Sequence, residues 1–150
     1  MIRLDVIEMA DPTAEALADL KRYAGVADDG QDGVLMPALR NAFDLVQRAA
    51  DTALLAGRWR VSADEHPGVV KVYMGGKVDG VTDHAGNPVA FNQRSNRVWL
   101  GTDGYVQVEF TTTVTPADYA RLLPVVCEYA TAIYDGQDSR TLNNILKQCL

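Results

Sequence analysis

The residues that could carry chemistry are few and scattered. Asp28-Asp29-Gly30-Gln31-Asp32-Gly33 invites comparison with a calcium loop. Gly30 stands at its third position and Leu39 at its twelfth, where a bidentate Glu is required. A solvated turn between helices accounts for the stretch better. Gly75-Gly76-Lys77 resembles the end of a phosphate-binding loop, but Val78 replaces the hydroxyl residue and Lys71 stands where an earlier Gly belongs. A tight turn between strands is the simpler reading. His66 precedes Pro67-Gly68, and His84 lies in Thr-Asp-His-Ala-Gly; neither has a Cys or second His at ligand spacing, and no nucleophile signature accompanies them. An enzyme built on His84 or His66 would have to recruit Asp79, Asp83 or Asp64 through the fold. Trp59, Trp99 and Tyr105 could form a stacking platform, but such platforms normally sit in a positive groove, and Arg94 and Arg97 alone do not make one. We therefore expect no catalytic residue, no metal and no cofactor.

The elements that would position these residues follow from periodicity. Asp11-Pro12 predicts a helix start, since a carboxylate can accept a free backbone N–H and Pro loses nothing at the first helical position. That helix runs over 12–24, burying Leu17 and Leu20 with Tyr23 beside them, and Gly25 ends it. Asp32 is placed to cap a second helix over 34–56, whose stripe is Leu35, Leu39, Ala42, Val46, Ala49 and Ala53. Gly57 closes it. The middle of the chain is β-branched, aromatic and alternating over 58–62, 69–74, 97–100 and 105–114, with a weak strand at 89–91. Thr115-Pro116 opens a third helix carrying Leu122, Val126, Ala130 and Ile133 on one face. Pro124 predicts a kink or a fresh start inside it, because it removes a hydrogen bond and crowds the preceding turn. A last short segment places Leu142, Ile145, Leu146 and Cys149 at helical spacing, too short to be stable without a support.

The expected fold class is therefore α+β: a bundle of about four helices, with a small, mostly antiparallel sheet inserted between the second and third long helices. One domain over 1–150 suits the length. Residues 79–96 form its extended loop and 138–150 a C-terminal docking segment. A formal charge of −6 argues against wrapping nucleic acid, whose binding draws on clustered Lys and Arg. Cys127 and Cys149 form no metal or redox spacing, which suits a reducing compartment. Asp5, Glu8 and Asp11 interrupt every apolar run of the opening, so neither a signal peptide nor a membrane span is expected.

Two stretches carry a family resemblance. LADLKRYAGVADDGQDGVLMPALRNAFDLVQRA reads as a helix, an Asp-rich turn and a helix of Ala and Leu, and YVQVEFTTT leads to CEYATAIYDGQ as a strand, a Thr turn and a helix finishing in Tyr. Over residues 15–137 this order resembles the head-to-tail connector (adaptor) family of tailed bacteriophages. The family's Tyr-rich cluster after the second helix is replaced here by Leu54-Leu55-Ala56-Gly57-Arg58-Trp59. The resemblance implies a structural virion protein of the neck, assembled from the host cytoplasm into a dodecameric ring. Its partners would be the portal protein above and a stopper or tail-completion protein below, with DNA passing through unbound. It further implies that Leu142, Ile145, Leu146 and Leu150 dock on the portal, and that Asp79, Val81, His84, Asn87, Phe91 and Arg94 face the tail side. A short amphipathic end that needs a partner groove agrees with this. A tail-completion or stopper protein is the neighbouring alternative. With no long apolar stripe left once the core is assigned, the free chain is expected to be monomeric or weakly associated until a portal templates it.

Overall fold

A computed structural model describes residues 1–150. The chain is α+β, as expected, and divides into two compact units: Met1–Ala10 with Ala56–Thr113, and Asp11–Leu55 with Val114–Leu150.

The second unit is helical. Helix α1 (Ala14–Ala24) starts two residues later than Asp11-Pro12 suggested, because the Thr13 hydroxyl accepts the Ala16 N–H at 3.1 Å, while Gly25 ends it at φ 74°. Ala16 and Leu20 are buried, but Tyr23 lies 55% exposed, outside the packed stripe. Helix α2 (Asp32–Ala50) buries Leu35, Leu39, Ala42, Phe43 and Val46 as their spacing requires. It ends six residues before the expected 56, at Asp51 in the left-handed region. Ala53, Leu54 and Leu55 are still buried, now in irregular chain. The cause is Gln47, which is fully buried and whose Oε1 accepts the N–H groups of Leu54 at 3.1 Å and Leu55 at 3.2 Å. Its side chain supplies the acceptor that a continued helix would have supplied. Asp32 does not cap α2; it pairs with Lys21 at 2.9 Å.

Helix α3 (Pro116–Tyr134) runs through Pro124 as one element. Pro124 and Ala120, whose carbonyl loses its helical partner, are both exposed, so water can take the missing hydrogen bond. Helix α4 (Ser139–Leu146) is capped by Asp138, which accepts the Thr141 N–H at 2.9 Å, and a 3₁₀ turn (Lys147–Cys149) follows. Helices α1, α2 and α4 all pack on α3, with Phe43 and Tyr119 stacked at 5.9 Å between α2 and α3.

The first unit is antiparallel β. Strand β1 (Ile2–Met9) pairs with β2 (Gly57–Ala63), so the sheet is not confined between the second and third helices; it begins ahead of the first. With β4 (Lys77–Asp83) and β7 (Val106–Thr112) these form a four-stranded sheet in the order β1-β2-β7-β4. A second sheet, β3-β6-β5, is built from β3 (Val69–Lys71), β5 (Phe91–Arg94) and β6 (Arg97–Leu100). Alternation buries Trp59, Val61, Val106, Val108 and Phe110 from the first sheet and Val70 and Val98 from the second. Gly76 lies so close to the Phe110 ring that a Cβ there would overlap it.

Candidate functional site

Residues 79–96, expected as one extended loop, contain most of β4, a turn and β5. Asp79 sits at a β-bulge between Val78 and Gly80, and its Oδ2 accepts the Thr111 hydroxyl at 2.6 Å. Val81 is 3% exposed and belongs to the core, so it has no free side chain to offer a partner. The turn after β4 is held by Asp83, whose carboxylate accepts the N–H groups of Ala85 and Asn87 at 2.9 Å each. The bond from the Asn87 backbone is the main reason that its carboxyl stays below the ordinary carboxylate value. That turn presents His84 and Asn87 outward. Phe91 is 40% exposed, and Arg94 is exposed at the end of β5.

Pairing across the second sheet gathers charges that are far apart in sequence. Arg94 lies opposite Arg97, and Arg97 opposite Lys71, so three exposed cations stand in one cross-strand row. Lys71 Nζ lies 4.8 Å over the Tyr73 ring, whereas Arg94 and Arg97 have no ion-pair partner. Trp99, 48% exposed, pairs with Asn92 and Val69 in the next cross-strand row on the same face, two residues along. Like charges placed directly opposite destabilise a sheet. An aromatic and two free guanidiniums on one surface match the residue types that dominate protein interfaces.

At the other candidate surface, α4 does not offer all four of its predicted contacts. Ile145 is 7% exposed and anchors α4 to the helical unit; Leu142 and Leu146 are half-buried, and Leu150 is 93% exposed. Periodicity identified the apolar face of α4 correctly but could not tell which part of it the chain itself would cover.

The other candidate residues resolve into structural roles. Lys21 donates a hydrogen bond to Asp29 at 2.6 Å and forms an ion pair with Asp32 at 2.9 Å, placing an ammonium between the two carboxylates of the acidic turn. The bond to Asp29 raises the Lys21 value, and the same bond lowers that of Asp29. Gly75, at φ 64°, makes the turn into β4, and the Gly76 N–H reaches the Tyr73 carbonyl at 3.0 Å. Both nitrogens of His66 are used in loop structure: Nδ1 accepts the Gly68 N–H at 3.1 Å and Nε2 lies 2.7 Å from the Gly104 carbonyl. Asp64 lies 3.9 Å from the N-terminal amine. Trp59 is 1% exposed and Tyr105 is bonded to Gln107 at 2.9 Å, so the aromatic trio does not assemble into a platform. A hollow of about 400 Å³ on the polar face of the first sheet is bordered by Arg3, Asp5, Arg60, Asp64, Tyr105 and Gln107, with no His or Cys. No group of three His, Cys, Asp or Glu is placed to hold a metal ion, and no helix is long and apolar enough to cross a membrane.

No family model and no curated protein matches the chain. Solved structures do. A chain in the neck of an empty gene transfer agent particle, computed with sixfold symmetry, superposes with a TM-score of 0.64 at 18% identity, covering 98% of this chain and 94% of that one. A chain of the native gene transfer agent virion gives 0.59 at 19% identity over 88% and 84%, and one in the native particle's neck, computed with twelvefold symmetry, gives 0.54 at 17% over 94% and 93%. The protein therefore has the fold of chains found in the necks of phage-like particles, in agreement with the connector resemblance.

Proposed function

We propose that this protein is a structural, non-enzymatic subunit of the neck of a phage-like particle, forming a ring that joins the portal to the stopper or tail and lines the DNA channel. The observation that carries the reading is the likeness to a neck chain over nearly the full length of both chains. A ring closed by rotation needs two different complementary faces on each subunit. The row of Lys71, Arg97 and Arg94 beside Trp99 is one surface suited to a neighbour or to the next ring, together with His84, Asn87 and Phe91 at the tail side. The C-terminal segment meets the portal through Leu150 and the open sides of Leu142 and Leu146, while Ile145 holds α4 in place. The formal charge of −6 suits a channel wall past which DNA slides.

Deleting residues 141–150 and testing co-purification with the portal protein checks the upper contact. Binding should be lost, and retained binding would remove that assignment. Replacing His66 and His84 by Ala separates this reading from an enzyme: particles should still form, and His84→Ala should weaken only the tail-side contact assigned to that residue. The His66 variant should lose only the stability of its loop.

A further inference from the structure

The two edges of the four-stranded sheet differ. The β4 edge is sealed by the chain itself: Gln93 Oε1 accepts the Val78 N–H at 2.8 Å, Val81 O accepts the Val89 N–H at 2.9 Å, and Asn87 O accepts the Asp83 N–H at 2.9 Å. The β1 edge has no such cover. The Met1 carbonyl accepts the Asp64 N–H, so Met1, Arg3 and Asp5 direct their backbone groups toward β2. By alternation Ile2, Leu4 and Val6 direct theirs outward. An uncovered row of donors and acceptors is a template for another strand. It is also apolar, with Ile2 55%, Val6 46% and Ile7 38% exposed.

What fits this edge follows from its own sequence. When β1 meets a second β1 antiparallel with Leu4 on the two-fold axis, Ile2 falls opposite Val6 of the other copy and Arg3 opposite Asp5. The residues whose backbone groups point outward are then the ones that face each other. Both Arg–Asp pairs lie on the polar face, in the closely approaching, non-hydrogen-bonded positions. Within one copy Arg3 Nε already bonds to Asp5 Oδ1 at 2.9 Å, so these side chains stand on the same face and need only exchange partners. A shift of register by one residue would set outward backbone against inward backbone and break the pairing.

We infer that β1 is a self-recognition edge, on which a second copy of this chain seats antiparallel about Leu4 to form a two-fold dimer. Neighbours in a cyclic ring are not related by a two-fold axis, so the dimer is a state of the chain outside any ring, and the inference stands without the neck reading. A contact this short buries far less than the roughly 1,200 Å² of a standard interface, so the dimer is reversible and concentration-dependent. Pairing also hides an edge that would otherwise nucleate aggregation.

Sedimentation of the purified chain alone, over a range of concentrations, tests this. The wild type should pass from monomer to dimer. Arg3→Asp sets Asp against Asp and Asp5→Arg sets Arg against Arg, so each variant should self-associate about tenfold more weakly. An equimolar mixture of the two restores opposite charges at both positions and should recover the dimer. Val6→Pro, which removes an outward N–H, should abolish association with circular dichroism unchanged. A wild type that stays monomeric or forms a larger ring overturns the inference. So do single variants that dimerise like the wild type, or folded variants whose mixture stays monomeric.

Discussion

The end of α2 gives the sharpest test of how this chain is held together. Gln47 is fully buried, and its Oε1 is the acceptor for two backbone N–H groups, those of Leu54 and Leu55. Gln47→Leu keeps nearly the same volume but accepts no hydrogen bond, so both N–H groups are left buried and unpaired. Each such group costs about 1–3 kcal/mol, so the variant should lose about 3 kcal/mol. That is a large share of the roughly 5–15 kcal/mol that holds a typical domain. With a urea slope of about 1.5 kcal/mol per molar, the unfolding midpoint followed by far-UV circular dichroism should fall by about 2 M. Gln47→Ala should cost at least as much, since it adds a cavity to the same two losses. A loss below about 1 kcal/mol in the Leu variant would show that the buried Ala53-Leu54-Leu55 segment is held by its own apolar packing and not by the Gln47 carbonyl.

Three further outcomes are expected. Gly76→Ala would drive a Cβ into the buried Phe110 ring and should destabilise the β unit by about 2–3 kcal/mol in thermal melts, whereas Gly75→Ala fills open space and meets only the strain of φ 64°. Gln93→Ala should unseal the β4 edge and speed amide exchange at Val78, whose N–H it bonds at 2.8 Å; unchanged exchange would show that edge closed by other means. The Asp138 carboxyl is held below its ordinary value of 3.8, chiefly by the Thr141 N–H, so its stabilisation of α4 is complete above that value and disappears as pH falls through the lower folded one. The Thr141 amide resonance should move with pH with its midpoint below 3.8, and in Asp138→Asn, which keeps a cap without a charge, that acid step should vanish.

Helix placement was legible because apolar spacing and αL-compatible residues mark it well: Gly25 ends α1, and the stripe from Leu35 to Val46 is the buried face of α2. The end of α2 was not, because the helical spacing continues through Ala53 and Leu54, and only the tertiary position of Gln47 diverts them. Strand β1 was hidden by its charges. Asp5 and Glu8 read as interruptions of an apolar run, yet Arg3 and Asp5 alternate with Ile2, Leu4 and Val6, the period of a half-exposed strand, and a bulge between Val6 and Glu8 shifts the phase so that Glu8 lies opposite Arg58. Strand β4 was obscured by Gly80 and the bulge beside it, which lower strand propensity where the backbone bends. Pro124 looked like a break because sequence shows the missing N–H but not that Ala120 faces solvent. Among the residues assigned to partners, Leu142, Leu146 and Leu150 keep exposed surface, while Val81 and Ile145 are used by the core. The cation row was invisible before pairing, since only the register of β3, β5 and β6 brings Lys71, Arg97 and Arg94 together.

Electron microscopy of the purified portal protein mixed with this chain tests the central claim most directly. A second ring of density should appear on the portal, made of copies of this chain around an open channel. Portal particles that remain bare at saturating concentrations of the folded protein would contradict it.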